Sequence, residues 1–220
     1  RIVSVEDTAE IKLPKYLHWV PMVTRLPNVE GKGEVSMLDL IVNSLRMRPD
    51  RIVVGEIRKK KQAETLFEAM HTGHSVYATI HANNAQETVN RLTNPPIDVP
   101  KTLLPAISML IVMYRNRRTG IRGVFQLAEI TKEAKENVLM QLDLKNDKLL
   151  SANNSIKLMP DIQLQTGLTQ QEISETMKEK SEILRWLVKK DITEINGIGK
   201  VMATYYTNKD NLLRFIKKNA

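Results

Sequence analysis

The sequence predicts an α/β protein, with a parallel sheet covered on both faces over residues 1–131 and a small helical domain over residues 165–220. Three observations carry this reading. Short β-branched runs alternate with helix-periodic segments up to residue 130. Acids and a histidine gather where the apolar runs end, the place where open α/β sheets bind ligands. Beyond residue 131 the composition shifts, first to a hairpin and linker over 132–164, then to apolar stripes at helical spacing.

The elements follow in order. Residues 1–5 read as a buried strand tipped by Glu6 and Asp7. Residues 12–35 hold three prolines and two glycines, which predicts a long loop with room for a short hairpin. Ser36 and Asp39 suit the N-cap and N3 positions of a helix whose Leu38, Ile41, Val42 and Leu45 share one face; Pro49 stops it. Residues 51–55 are a buried parallel strand with Glu56 at its end. Residues 62–71 form a helix with Leu66, Phe67 and Met70 inward and Gly73 after its end. A strand is expected from Ser75 to His81, and a helix from Ala85 to Leu92, ended by Pro95-Pro96. A short helix and a strand follow within 100–113, then another strand over 121–130. Lys145-Asn-Asp-Lys148 reads as the turn between strands at 138–144 and 149–158. Thr169 and Glu172 make a capping box for an amphipathic helix reaching Lys189, and two short helices follow near 201–206 and 209–218.

Lys and Arg number 33 against 25 Asp and Glu, a net charge of +8. That balance suits an anionic partner: a nucleotide, a nucleic acid or an acidic membrane face. There is no cysteine, which excludes a disulfide framework, a thiol nucleophile and an iron–sulfur cluster. His71, His74 and His81 are spaced H-x₂-H-x₆-H, but they do not share a helix face and no cysteine joins them, so no metal site of the zinc type is expected. The longest apolar run, Leu103 to Met113, is broken by Pro105 and Ser108 and falls short of the ~20 residues a membrane span needs. The chain starts without Met, inside a strand and with no signal-peptide pattern, and so reads as part of something longer.

Three segments stand together: Ser4-Val-Glu6-Asp7-Thr; Arg48-Pro-Asp-Arg-Ile-Val-Val-Gly-Glu56-Ile-Arg58; and Thr72-Gly-His74 with Thr79-Ile-His81-Ala-Asn83. An apolar strand ending in an acid is the form of a Walker B strand, whose carboxylate orients a metal-bound or attacking water in phosphoryl transfer. Gly55 stands where many such strands have Asp, which leaves Glu56 as the catalytic carboxylate.

In this order the segments resemble the Asp box, Walker B strand and His box of the type II/type IV secretion superfamily of ATPases. They are most similar to its archaeal branch, the archaellum and archaeal type IV pilus motors. Asn94-Pro-Pro-Ile-Asp-Val-Pro and Gln163-Leu-Gln-Thr-Gly-Leu-Thr add to the likeness. The resemblance implies a RecA-like P-loop NTPase core, ATP and Mg²⁺, a hexamer at the cytoplasmic face of the inner membrane, and a membrane platform protein as partner. The function implied is filament assembly or protein secretion. By the same resemblance Glu56 polarises the attacking water, and Glu6 and Asp7 sit beside the metal, Glu6 the better placed of the two. His74 and His81 attend the γ-phosphate. Arg58 stabilises phosphate charge, and Arg25, Arg46 and Arg48 are arginine-finger candidates. One departure matters: the Walker A string G-x-x-x-x-G-K-[ST] is absent from these residues. The isolated chain is therefore expected to bind ATP weakly or not at all and not to turn it over.

Two other classes compete. Ile192-Thr-Glu-Ile-Asn-Gly-Ile-Gly-Lys200-Val-Met-Ala203 reads like a helix-hairpin-helix, whose Gly-rich turn offers backbone N–H groups to a DNA phosphate. Only one such unit is present and no stacking aromatics accompany it, so no nucleic-acid partner is expected. A non-catalytic oligomerisation module, docking through the helix at 169–189, is the third reading.

Overall fold

A computed structural model describes residues 1–218, so the last two residues of the expected helical domain lie outside it. The chain forms two compact units, one of residues 1–11 and 18–160, the other of residues 12–17 and 161–220.

In the first unit, β1 (Ile2–Glu6), β2 (Trp19–Val23), β3 (Arg51–Val54) and β4 (Ser75–Ala78) make an all-parallel sheet in the order β2-β1-β3-β4. The α/β class read from the sequence is the class observed. β1 is central and buried on both sides, with Val3 and Val5 facing one way and Ser4 and Glu6 the other. Helices α1 (Met37–Leu45) and α2 (Lys60–His71) pack on the Val5 side, where Met37, Ile41 and Leu66 join Val5, Ile52 and Val54. β2 is the strand hidden in the expected 12–35 loop. Its Trp19-Val-Pro-Met-Val run carries Pro21, which disguises it, yet an edge strand tolerates a proline whose missing N–H faces away from the ladder.

The strands at 110–115 and 122–130 do not extend the parallel sheet as the alternation predicts. β5 (Leu110–Arg115), β6 (Arg122–Ile130), β7 (Glu136–Asp143) and β8 (Lys148–Ser151) form a separate antiparallel sheet in chain order. The reason is loop length. Six residues between β5 and β6 can close a hairpin, but a parallel return needs a crossover of about a dozen. α3 (Ala85–Thr93) packs against this sheet, and Val89 and Leu92 meet Ile130 and Phe67 in a second core.

β8 ends at Ser151, well before the expected Leu158, because the next segment is claimed by Glu129. This carboxylate is wholly buried and accepts from Asn137, from the Ser155 hydroxyl and from the backbone N–H groups of Ile156, Lys157 and Leu158. It thereby caps α4 (Leu158–Thr166) from a distant strand. α4 has no long apolar stripe to announce it, and its Pro160 sits in the first turn, where no helical N–H is lost.

The second unit holds α5 (Gln170–Lys189), α6 (Ile195–Thr207) and α7 (Lys209–Lys218) around Ile183, Leu187, Tyr205, Leu212 and Ile216. The capping box at Thr169 and Glu172 is present. α6 starts earlier than the expected 201, and takes Gly197 and Gly199 into its first turns. A Cβ on Gly199 would lie 1.9 Å from the Tyr16 hydroxyl, and one on Gly197 would lie 2.9 Å from Ile192 Cγ2. Close packing accounts for both glycines.

Candidate functional site

The C-terminal rim of the parallel sheet collects the acids and one histidine. β1 and β3 are adjacent and in register, Val5 opposite Val54, so the residues that follow them emerge side by side. β3 and β4 are stitched beyond their ladder, because Ile57 N–H donates to Thr79 O (2.9 Å) and the Thr79 hydroxyl donates to Gly55 O. That stitch brings the loop after β4, with His81, over Glu56. The same loop is pinned at its far end: Asn84 caps α3, and Glu87 accepts from both the backbone and side-chain N–H of Asn83. Those hydrogen bonds hold the Glu87 carboxyl below the usual range.

Arg58 organises the rim. Its guanidinium lies 2.6 Å from Glu56 Oε2 and donates to Asp7 Oδ2 at 3.1 Å. Glu56 first and then Asp7 raise the guanidinium pKa further, so Arg58 stays charged. The other Glu56 oxygen faces His81 Nε2 at 3.3 Å, and Thr24 donates to Asp7 Oδ1 at 3.3 Å. Asp7, Arg58, Glu56 and His81 thus form one continuous string. The Glu56 side chain is 16% exposed, whereas that of His81 is 82% exposed. The string has a shielded carboxylate at its centre and an open imidazole at its end.

Beside it lies a cavity of about 540 Å³. Asp7, Arg25 and Arg58 line it, together with the entries to α1 and α2 and all of Lys59, Lys60 and Lys61. Arg25 is fixed there by its Nε–H bond to Gly33 O (2.7 Å) and by a backbone bridge to Val35.

Sequence reasoning placed Glu56, Asp7, Arg58 and His81 at this rim, and the structure brings them together; Arg25, an arginine-finger candidate by sequence, lines the cavity beside them. Glu6 does not present its carboxylate to the rim. It is buried, and its Oε1 accepts from the N–H groups of Glu10 and Ile11 at 3.1 Å each, so it ties down the loop after β1. Successive residues of a strand face opposite ways, and of the two acids it is Asp7 that reaches Arg58. His74 precedes β4 and so lies at the opposite edge of the sheet, its Nδ1 3.2 Å from both Ala69 O and Thr72 Oγ1. Arg46, the C-cap of α1, and Arg48, at φ 49°, also lie at that edge, Arg48 sharing a second cavity with His74 and Arg51. Among the described residues no three His, Cys, Asp or Glu side chains converge on a metal position. Thr24 lies outside the three segments, and Thr79 and Asn83, though inside the third, carry no role in the sequence reading: Thr24 and Thr79 act on partners 17 and 24 residues away, Asp7 and Gly55, and Asn83 acts on Glu87 in the first turn of α3.

The type II/IV secretion system protein family matches this chain over residues 1–117, the segment that contains the whole rim. The chain belongs to that family. Among relatives of this secretion-family chain, the uncharacterized protein MJ1287 of Methanocaldococcus jannaschii is 30% identical over 86% of the chain and 72% of its own length. The type IV pilus assembly ATPase PilB of Pseudomonas aeruginosa is 45% identical over 53% of the chain, which is 19% of PilB. The chain spans 39% of another M. jannaschii relative, MJ0900. The crystal structure of the VirB11 ATPase from the Brucella suis type IV secretion system aligns with 61% of the chain and 42% of its own, at 22% identity and a TM-score of 0.48.

Proposed function

We propose that this chain is the carboxylate-bearing part of a motor ATPase that couples ATP hydrolysis to filament assembly or protein secretion. The observation that carries the reading is the Asp7–Arg58–Glu56–His81 string at the C-terminal rim of a parallel sheet. Its groups divide naturally among the tasks of phosphoryl transfer. Glu56, shielded yet reachable, orients and polarises the attacking water. Asp7 would be the carboxylate that holds the nucleotide's metal. Mg²⁺ binds through one or two carboxylates plus water and phosphate oxygens, and the chemistry of Asp7, Glu56 and the Thr24 hydroxyl fits that demand. When bound, the ion neutralises charge developing on the phosphates. His81, exposed at the open end of the string, can turn from Glu56 to a γ-phosphate as a donor. Arg58 and Arg25 are the cations for phosphate charge in the same subunit; Arg46 and Arg48, at the far edge, can serve only a nucleotide held by a neighbour. Glu6 acts by positioning Asp7's loop.

The phosphate-binding Gly-rich loop with its Lys is not among these residues, so the isolated chain is expected to bind ATP weakly and not to hydrolyse it. A hexameric assembly, a membrane platform partner at the cytoplasmic face, and an archaellum or archaeal pilus setting complete the proposal. They rest on the motif resemblance and on the archaeal and pilus relatives. No helix among the described residues is long and apolar enough to cross a membrane.

The test is Glu56→Gln in the longer protein that carries the phosphate loop. Turnover should fall by about 10²–10⁴-fold, the range for loss of a positioned acid–base group, with nucleotide affinity kept. Unchanged turnover overturns the role of Glu56.

A further inference from the structure

One end of the antiparallel sheet carries charge that the fold leaves unbalanced. The β5–β6 register sets Arg115 directly opposite Arg122. Like charges in that position repel. Arg117 and Arg118 add two more guanidiniums in the turn between them, and among the described residues none of the four has an ion-pair partner. The turn is well formed nevertheless. Asn116 Oδ1 accepts from the N–H groups of Arg118 (2.9 Å) and Thr119 (3.2 Å), and Gly120 takes the left-handed conformation at φ 76°. The arginines are thus displayed on a shaped tip.

The β7–β8 turn lies at the same end, since β6 and β7 run antiparallel. It contributes Lys145 and Lys148, while Asp143 turns its carboxylate back onto the N–H groups of Lys145 and Asn146 and onto the Asn146 amide. Aliphatic residues stand among these cations: Ile121 at one tip and Leu144 at the other are 51% and 61% exposed, and Met113 and Ile111 continue the exposed face below Arg115.

We propose that this end of the sheet is a membrane-contact edge that rests on an anionic phospholipid surface. Guanidinium groups pair with lipid phosphates, and Ile121 and Leu144 enter the interfacial layer between them. The mixture decides the partner. A nucleic acid backbone would match the arginines but leave both aliphatic tips against phosphate and sugar, with no exposed aromatic at the tips to stack on a base. The edge shares no residue with the carboxylate rim, and the inference stands apart from the proposed hydrolysis.

Co-flotation of the 220-residue chain with phosphatidylcholine vesicles, with and without phosphatidylglycerol, is the test. Binding is expected only to the anionic vesicles and is expected to weaken with salt. Each cation near such a surface is worth about a fivefold factor, so Arg117→Gln/Arg118→Gln should cut partitioning about 30-fold. Arg117→Lys/Arg118→Lys should keep most of it. Thermal unfolding followed by circular dichroism should be the same for all three proteins. Ile121→Ser/Leu144→Ser should weaken flotation without changing its salt dependence. Equal flotation of wild type and the Gln pair, equal binding to neutral vesicles, or no binding at all overturns the proposal. So does tight binding of a short DNA duplex that the Gln pair abolishes while flotation persists, which reassigns the edge to nucleic acid.

Discussion

Glu129 has no contact with water, and its charge is kept by five donors. Burial alone would raise its pKa. The backbone N–H groups of Ile156 and Leu158, with Asn137 and Ser155, outweigh that and hold it at about 2 against an ordinary 4.5. A carboxyl with a depressed folded-state pKa stabilises the fold above its unfolded pKa, and that stability is lost as pH falls through the folded value. Urea denaturation at descending pH should therefore show stability draining between about pH 4.5 and 2. Glu129→Gln should lose about 2–4 kcal/mol at neutral pH and flatten that slope, since an amide leaves donors unmatched in a dry site. Arg58 is the opposite case. Its partners sit in a partly exposed rim, so Arg58→Ala should leave the thermal unfolding midpoint nearly unchanged. In the longer protein the same change should lower ATP turnover by about tenfold or more, because it removes a cation placed for phosphate charge. Nothing local marks Glu129 as exceptional: it stands in β6 between Ala128 and Ile130 like any outward-facing acid of a strand, and its donors come from residues 137 and 155–158.

Among the elements, those with strong local grammar were legible and those made by partners were not. α1 and α5 announce themselves by Ser36/Asp39 and Thr169/Glu172, and both capping boxes form. Thr169→Ala should therefore cost the helical unit about 1 kcal/mol, read as a lower midpoint in urea by circular dichroism. β2 could not be read because its proline is tolerated only by virtue of its edge position, which is a property of the sheet and not of the segment. Gly197-Ile-Gly199 imitates a phosphate-binding turn in sequence, yet both glycines are explained by what lies against them, Ile192 and Tyr16. Short apolar strands such as 110–115 give no sign of their sheet partner, and only the six-residue link to β6 decides it.

For the molecule as a whole, the proposed chemistry is divided between this chain and a phosphate cradle that its sequence does not contain. Isothermal titration of the isolated chain with ATP should show weak or no binding, and a chain extended upstream through a Gly-rich Lys-Ser/Thr loop should bind and, in light scattering, run as an assembly far above 25.1 kDa. The sequence by itself determined which residues could carry charge to a rim, because strand period, caps and apolar runs are local and fix what stands at each strand tip. It determined the order of Asp7, Glu56 and His81 along the chain and the excess of positive charge. Only the tertiary structure decided that Asp7 and not Glu6 reaches Arg58, that His74 stands at the far edge, and that four arginines converge at one sheet end. The first outcome rests on a contact between residues 51 positions apart, Asp7 and Arg58, which exists only once β1 and β3 pair; the arginines meet through the register of the short β5–β6 hairpin.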